Sequence, residues 1–181
     1  MNHRKILMLC LGVAVSVRTV SAQTIPRQRQ LCESVHSLLQ ASYHDFSSMK
    51  RQVVRHRDGA TEWIPSVNIE GSKDCEGQSD PQISSTVSCT MGESQSADEA
   101  MTAYRIMVTA MRSCLDSEFV FAEQQCGKAS SRSTPIKEAT FEIKGKADGP
   151  DGPAVRVSLT QFHRTHSGYE LTVWVDAKDK E

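Results

Sequence analysis

Residues 83–115 read ISSTVSCTMGESQSADEAMTAYRIMVTAMRSCL, and this stretch decides the fold class. Ile83, Ser85, Val87, Cys89 and Met91 alternate with Ser84, Thr86, Ser88 and Thr90. A period of two over nine residues is the signature of a strand with one buried face. Ser96-Ala97-Asp98-Glu99 then forms a capping box, in which Ser96 accepts from the backbone near Glu99 and Glu99 reaches back. Behind it, Ala100, Tyr104, Met107, Val108, Met111, Cys114 and Leu115 recur at steps of three and four, one apolar stripe on a helix. The methionines in that stripe read as core filler rather than ligands. One strand and one helix, each with a single face to bury, point to a sheet with helices packed against it.

Working outward, Leu31, Val35, Leu38, Leu39, Ser42, Phe46 and Met49 predict an earlier helix over about residues 28–53. Arg55 to Thr61 reads as its exit loop. Trp63 to Glu70 reads as a strand that starts at an edge, because Pro65 lacks a ladder donor. Gly71 to Gln82, rich in Gly, Ser and Asp, reads as a hairpin loop. On the other side, Asp116 to Lys137 reads as a long irregular connection. Three strands follow, over Thr140–Ala147, Ala154–His163 and Tyr169–Val175, with turns at residues 148–153 and 164–168. The expected fold is therefore α+β: an antiparallel sheet of about five strands with two helices on one face. The order also suggests two helix–hairpin units, over residues 30–92 and 97–176.

The N-terminus supplies the compartment. Asn2 to Lys5 is polar and basic, Ile6 to Val17 carries no charge, and Val20-Ser21-Ala22 places small residues before Gln23. This is the pattern of a secretory signal peptide over residues 1–22, cut between Ala22 and Gln23. The apolar run is too short for the roughly twenty residues a spanning helix needs, and no later segment qualifies. Removing Arg4, Lys5 and Arg18, with no acid, would take the formal charge from -1 to -4. The remaining bases are scattered, so no basic face for nucleic acid or an anionic membrane is visible. The rest, 23–181, is long enough for one domain with its own core.

Export makes the cysteines structural. Cys32, Cys75, Cys89, Cys114 and Cys126 would remain, and in an oxidising compartment most should pair, with one left over. Spacing does not select the connectivity. Short local loops favour Cys75–Cys89 and Cys114–Cys126, leaving Cys32 free or cross-linking a homodimer.

Motifs for chemistry are sparse. No Gly-x-Ser-x-Gly elbow, phosphate-binding loop or dinucleotide turn occurs, and no cofactor is indicated. His163 and His166, three apart beside a turn and near Glu170, have spacing for a shared metal. A zinc site needs three or four ligands, however, and a solvated turn explains the pair as well. Cys32 with His36 at i, i+4 could form a thiol–base pair, although a thiol flanking a core stripe is usually inert. These residues define the alternative function, a small metal- or thiol-dependent hydrolase. The primary expectation is a secreted or periplasmic, non-enzymatic protein-binding or inhibitor-like module. Alternation places Arg156, Ser158, Thr160 and Phe162 beside Glu170, Thr172 and Trp174 on the outward face of the last two strands. Trp174, Phe162, Arg156 and Thr172 are its expected contact residues, an aromatic pair amid polar neighbours.

Overall fold

In the structure, a computed structural model, the capping box starts a helix. Ser96 Oγ accepts from the Glu99 backbone N–H at 3.4 Å, and α2 runs Ala97–Cys114. The described residues are 28–57, 59–80, 84–115, 117–126, 133–143, 152–163 and 168–177. The leader 1–22, its Ala22–Gln23 junction and His166 lie outside them. The elements are α1 (Gln28–Ser42), β1 (Lys50–Arg57), β2 (Ala60–Pro65), β3 (Asp74–Ser79), β4 (Ser85–Ser94), α2, β5 (Phe119–Gln125), β6 (Ser133–Ile143), β7 (Ala154–Phe162) and β8 (Gly168–Asp176).

All the strands join one antiparallel sheet in the order β1-β2-β3-β4-β8-β7-β6-β5. This corrects the expected count: among the described residues the sheet has eight strands, not five. A helix followed by a four-strand meander occurs twice along the chain, and β4 pairs with β8 where the two meanders meet.

Three strands were read from the sequence as something else. β1 occupies the tail of the expected first helix and its exit loop. The helix ends at Ser42 because Asp45 and Phe46 adopt left-handed φ values of 55° and 53°. The Phe46 N–H returns to the Ala41 carbonyl at 2.9 Å, closing the helix end. Phe46 is then buried against Trp63, ring centroids 5.8 Å apart, so the stripe leaves the helix and joins the sheet. β3 occupies the expected hairpin loop. Its Gly77 faces Trp63 so closely that an added Cβ would lie 2.3 Å from Trp63 Cε2. A strand that lies under a tryptophan ring there must be small, which is why it reads as a loop. β5 occupies the expected irregular connection and pairs with β6 in unbroken register from Phe119↔Ile143 to Gln125↔Lys137.

The core lies on one side of the sheet. Val87 and Cys89 of β4, Val155, Val157 and Leu159 of β7, and Leu171, Val173 and Val175 of β8 are buried there. Leu31, Val35 and Leu38 of α1 and Tyr104, Val108 and Met111 of α2 cover them. The helices pack on each other and on β4 and β8, and α2 also packs on β7. Two bonds from α1 reach carbonyls near the C-terminal end of α2, and Cys114 O, the last of them, has no partner within its own helix. Gln28 Nε2 donates to Ala110 O at 3.0 Å, and His36 Nε2 donates to Cys114 O at 2.9 Å.

Cys32 and Cys114 are disulfide-bonded between these two contacts, and Cys75 is bonded to its cross-strand partner Cys89. The expected Cys114–Cys126 bridge is therefore corrected, and among the described residues the free cysteine is Cys126, not Cys32. The reason is geometric. Cys114 ends α2 beside Cys32, whereas β5 carries the chain away for seven residues, roughly 20 Å, before Cys126. Two disulfides are consistent with an oxidising compartment. Among the described residues no helix is long and apolar enough to cross a membrane.

Candidate binding surface

With the helices on one face, alternation sends the even-numbered side chains of β7 and β8 to the other. Register then decides which of them meet. Arg156 pairs directly with Trp174, and Ser158 with Thr172. On the flanks, Ser88 of β4 pairs with Trp174 and Thr140 of β6 with Arg156.

Arg156 is the hub of this face. Its Nε donates to Asp176 Oδ2 at 2.7 Å and its Nη2 to Asp176 Oδ1 at 3.0 Å, a two-pronged pairing that matches guanidinium to carboxylate. Nη1 lies 3.9 Å from Glu138 Oε2. The guanidinium carbon sits 5.4 Å from the Trp174 ring centroid, within cation–π range. The hydrogen bond to Asp176 raises the Arg156 pKa further, against the opposing effect of burial, with the charges of Asp176 and Glu138 adding to the rise. Thr86 Oγ1 also donates to Asp176 Oδ1, at 3.0 Å. The group is thus held from β4, β6, β7 and β8, yet the Arg156 side chain keeps 34% of its exposure. Each ion pair here is partly exposed and contributes on the order of 1 kcal/mol to stability. The main consequence of the arrangement is to fix where the guanidinium and indole sit.

Thr172 lies beside this cluster, 7% exposed, and donates to Glu170 Oε1 at 3.2 Å. Phe162 does not join it. It is exposed and pairs with Gly168, six residues along β8 from Trp174, or roughly 20 Å. His163 Nε2 lies 2.7 Å from Thr134 Oγ1. Among the described residues no group of three His, Cys, Asp or Glu side chains could hold a metal ion. Cys32 is in a disulfide and His36 is spent on a helix carbonyl, so that pair offers no thiol nucleophile.

Sequence reasoning missed Asp176 and Glu138. Asp176 continues the even-numbered series 170, 172, 174 and could have been found by extending the last strand one residue. Glu138 could not, because β6 was expected to start at residue 140. No protein-family model matches this chain, and neither a curated protein nor a solved structure does.

Proposed function

We propose that this chain is a secreted or periplasmic domain, stapled by disulfides, that acts by binding another protein and not by catalysis. The contact surface is the helix-free sheet face centred on Arg156 and Trp174. One observation carries this reading: a partly exposed arginine, held by neighbouring strands and set against an indole, in the middle of a polar face. Tryptophan and arginine dominate interface energetics when fixed at a patch centre. Side chains held in place before contact also lose little rotamer freedom on binding. Ser88, Thr140, Ser158 and Thr172 around them are small, so a partner can approach the sheet closely.

The test is affinity for a partner recovered with the wild-type protein. Trp174→Ala should weaken binding by at least tenfold, about 1.4 kcal/mol. Gln40→Ala, on the exposed side of α1, should leave it unchanged. Equal affinity of wild type and Trp174→Ala would overturn the placement.

A further inference from the structure

The sheet has two edges, and they are not alike. β1 carries Lys50, Arg51 and Arg55, and its register with β2 shifts between Lys50 and Gln52 and between Val53 and Arg55. Cations and bulges close an edge to further pairing. β5, FVFAEQQ, contains no proline, lysine or arginine and runs in unbroken register with β6. Among the described residues no other strand pairs with it.

The free backbone groups of β5 have a defined direction. Cys126 N donates to Ile136 O at 3.2 Å, so the backbone of residue 126 faces β6. Antiparallel bonding alternates along a strand. Residues 120, 122 and 124 therefore also bond to β6, and Phe119, Phe121, Glu123 and Gln125 aim N–H and C=O off the sheet. The side chains of these four share the helix side, because Phe121 is paired with buried Phe141. Two exposed charges of opposite sign stand on that side. The Arg112 guanidinium of α2 lies 4.0 Å from the Phe121 ring centroid, and Glu123 follows two residues along β5. Among the described residues neither has an ion-pair partner.

We propose that β5 pairs with the β5 of a second copy of this chain, antiparallel about a two-fold axis at Ala122. This register alone sets all four outward residues against one another: Phe119 faces the partner's Gln125 and Phe121 faces the partner's Glu123, each pair twice. A register centred on Phe121 leaves Gln125 paired outside the strand, and one centred on Glu123 puts the two Glu123 carboxylates face to face. With the axis at Ala122, the partner's Glu123 arrives beside Phe121, about 5 Å away between Cβ atoms, where Arg112 already sits. The same contact recurs across the axis, so the edge is complementary to itself in charge. The two Phe121 rings become diagonal neighbours over the seam. On the opposite face Ala122 is small, and Val120, 49% exposed, covers the stem of the partner's Gln124. The two sheets then run on as one, with every helix on one side and both Arg156–Trp174 faces on the other. Seven strand spacings, roughly 33 Å, separate the two β8 strands. The pairing does not depend on what those faces bind, so each proposal can fail without the other.

The experiment is sedimentation velocity of the purified protein over a range of concentrations, and a reversible dimer is expected. Arg112→Glu and Glu123→Arg each set like charges at both symmetric contacts and weaken the dimer at least tenfold, and the double variant restores it. Gln125→Pro removes an outward N–H without touching the β5–β6 ladder, and it weakens the dimer at least tenfold while the circular dichroism is unchanged. Trp174→Ala changes nothing. The register is read by oxidation in a Cys126→Ser background. Ala122→Cys cross-links two chains, because residues paired between hydrogen-bonded positions lie about 4.5 Å apart at Cα, and Gln124→Cys does not. The proposal is overturned if the protein is monomeric throughout, or if folded Gln125→Pro dimerises as wild type does. It is equally overturned if the double charge reversal stays as weak as either single one, or if Ala122→Cys fails to cross-link.

Discussion

Replacing Cys32 and Cys114 together with alanine should cost the fold about 4 kcal/mol. The bridge spans 82 residues, of which the Cys75–Cys89 bridge already short-circuits 14. Closing an unfolded loop of the remaining size removes chain entropy corresponding to about 4.4 kcal/mol at 25 °C in the loop-entropy picture. The same relation gives about 3 kcal/mol for replacing Cys75 and Cys89, whose own loop is 14 residues. The bonds from Gln28 and His36 end on carbonyls of Ala110 and Cys114, which alanine keeps, so α1 and α2 should stay docked. Equilibrium urea unfolding, followed by the emission of buried Trp63, measures both losses. The native spectrum should be unchanged and the Cys32/Cys114 loss should be the larger, by about 1.4 kcal/mol. A Cys114–Cys126 bridge would close only a short loop and bring the two losses level near 3 kcal/mol. Equal losses, or a Cys114–Cys126 peptide in a non-reducing digest, would refute the connectivity and the helix packing behind it.

Gly77→Ala should destabilise by at least ~2 kcal/mol, because its Cβ would lie 2.3–2.4 Å from three atoms of the Trp63 ring. Trp63 is fully buried and packed on Phe46, and its indole donates to Ser79 Oγ at 3.0 Å, so the ring cannot retreat without losing both contacts. A lowered Tm with red-shifted emission is expected; unchanged stability would mean that β2 and β3 are not paired in this register. Tyr104→Phe should be neutral or stabilising by up to ~1 kcal/mol at pH 7, since the buried hydroxyl lies beside the Glu123 carboxylate without reaching good hydrogen-bond geometry. Burial first, then the Glu123 carboxylate, raises the Tyr104 pKa well above its ordinary value. A raised pKa stabilises the fold fully below the unfolded value near 10, and that contribution is lost as pH rises through the folded value. Wild type should therefore lose more stability than Tyr104→Phe between about pH 10 and the folded pKa. A loss above ~1 kcal/mol for Tyr104→Phe at pH 7 would show that the hydroxyl has a partner.

The central part of this fold was legible because its strands and helices each bury one face. β4, β7 and β8 carry Val, Leu and Cys at alternate positions, and α2 carries its cap and stripe within twenty residues. β1, β3 and β5 were not legible, for reasons that differ. β1 is polar because it lies at an edge, and its Lys50 and Arg51 follow a stripe that ran on past the true helix end. β3 is small and polar because Trp63 occupies the space over Gly77. β5 runs Phe-Val-Phe-Ala, which does not alternate, since an edge strand needs little shielding on its outer side. The Arg156–Trp174 pair followed from alternation alone. Its link to Asp176 and Glu138 depends on the diagonal reach of an arginine across three paired strands, which only register reveals. Proximity in sequence misled the cysteine pairing, because helix packing brings Cys114 to a residue 82 positions away.

The most direct test of the proposed contact face is photo-cross-linking in cells that make the protein. A benzophenone side chain replaces Thr140, which flanks Arg156 on the open sheet face, or Gln40, on the exposed side of α1. The account predicts one discrete adduct from position 140, lost on Trp174→Ala, and none from position 40. An adduct from position 40 alone, or one from position 140 that survives Trp174→Ala, would contradict it.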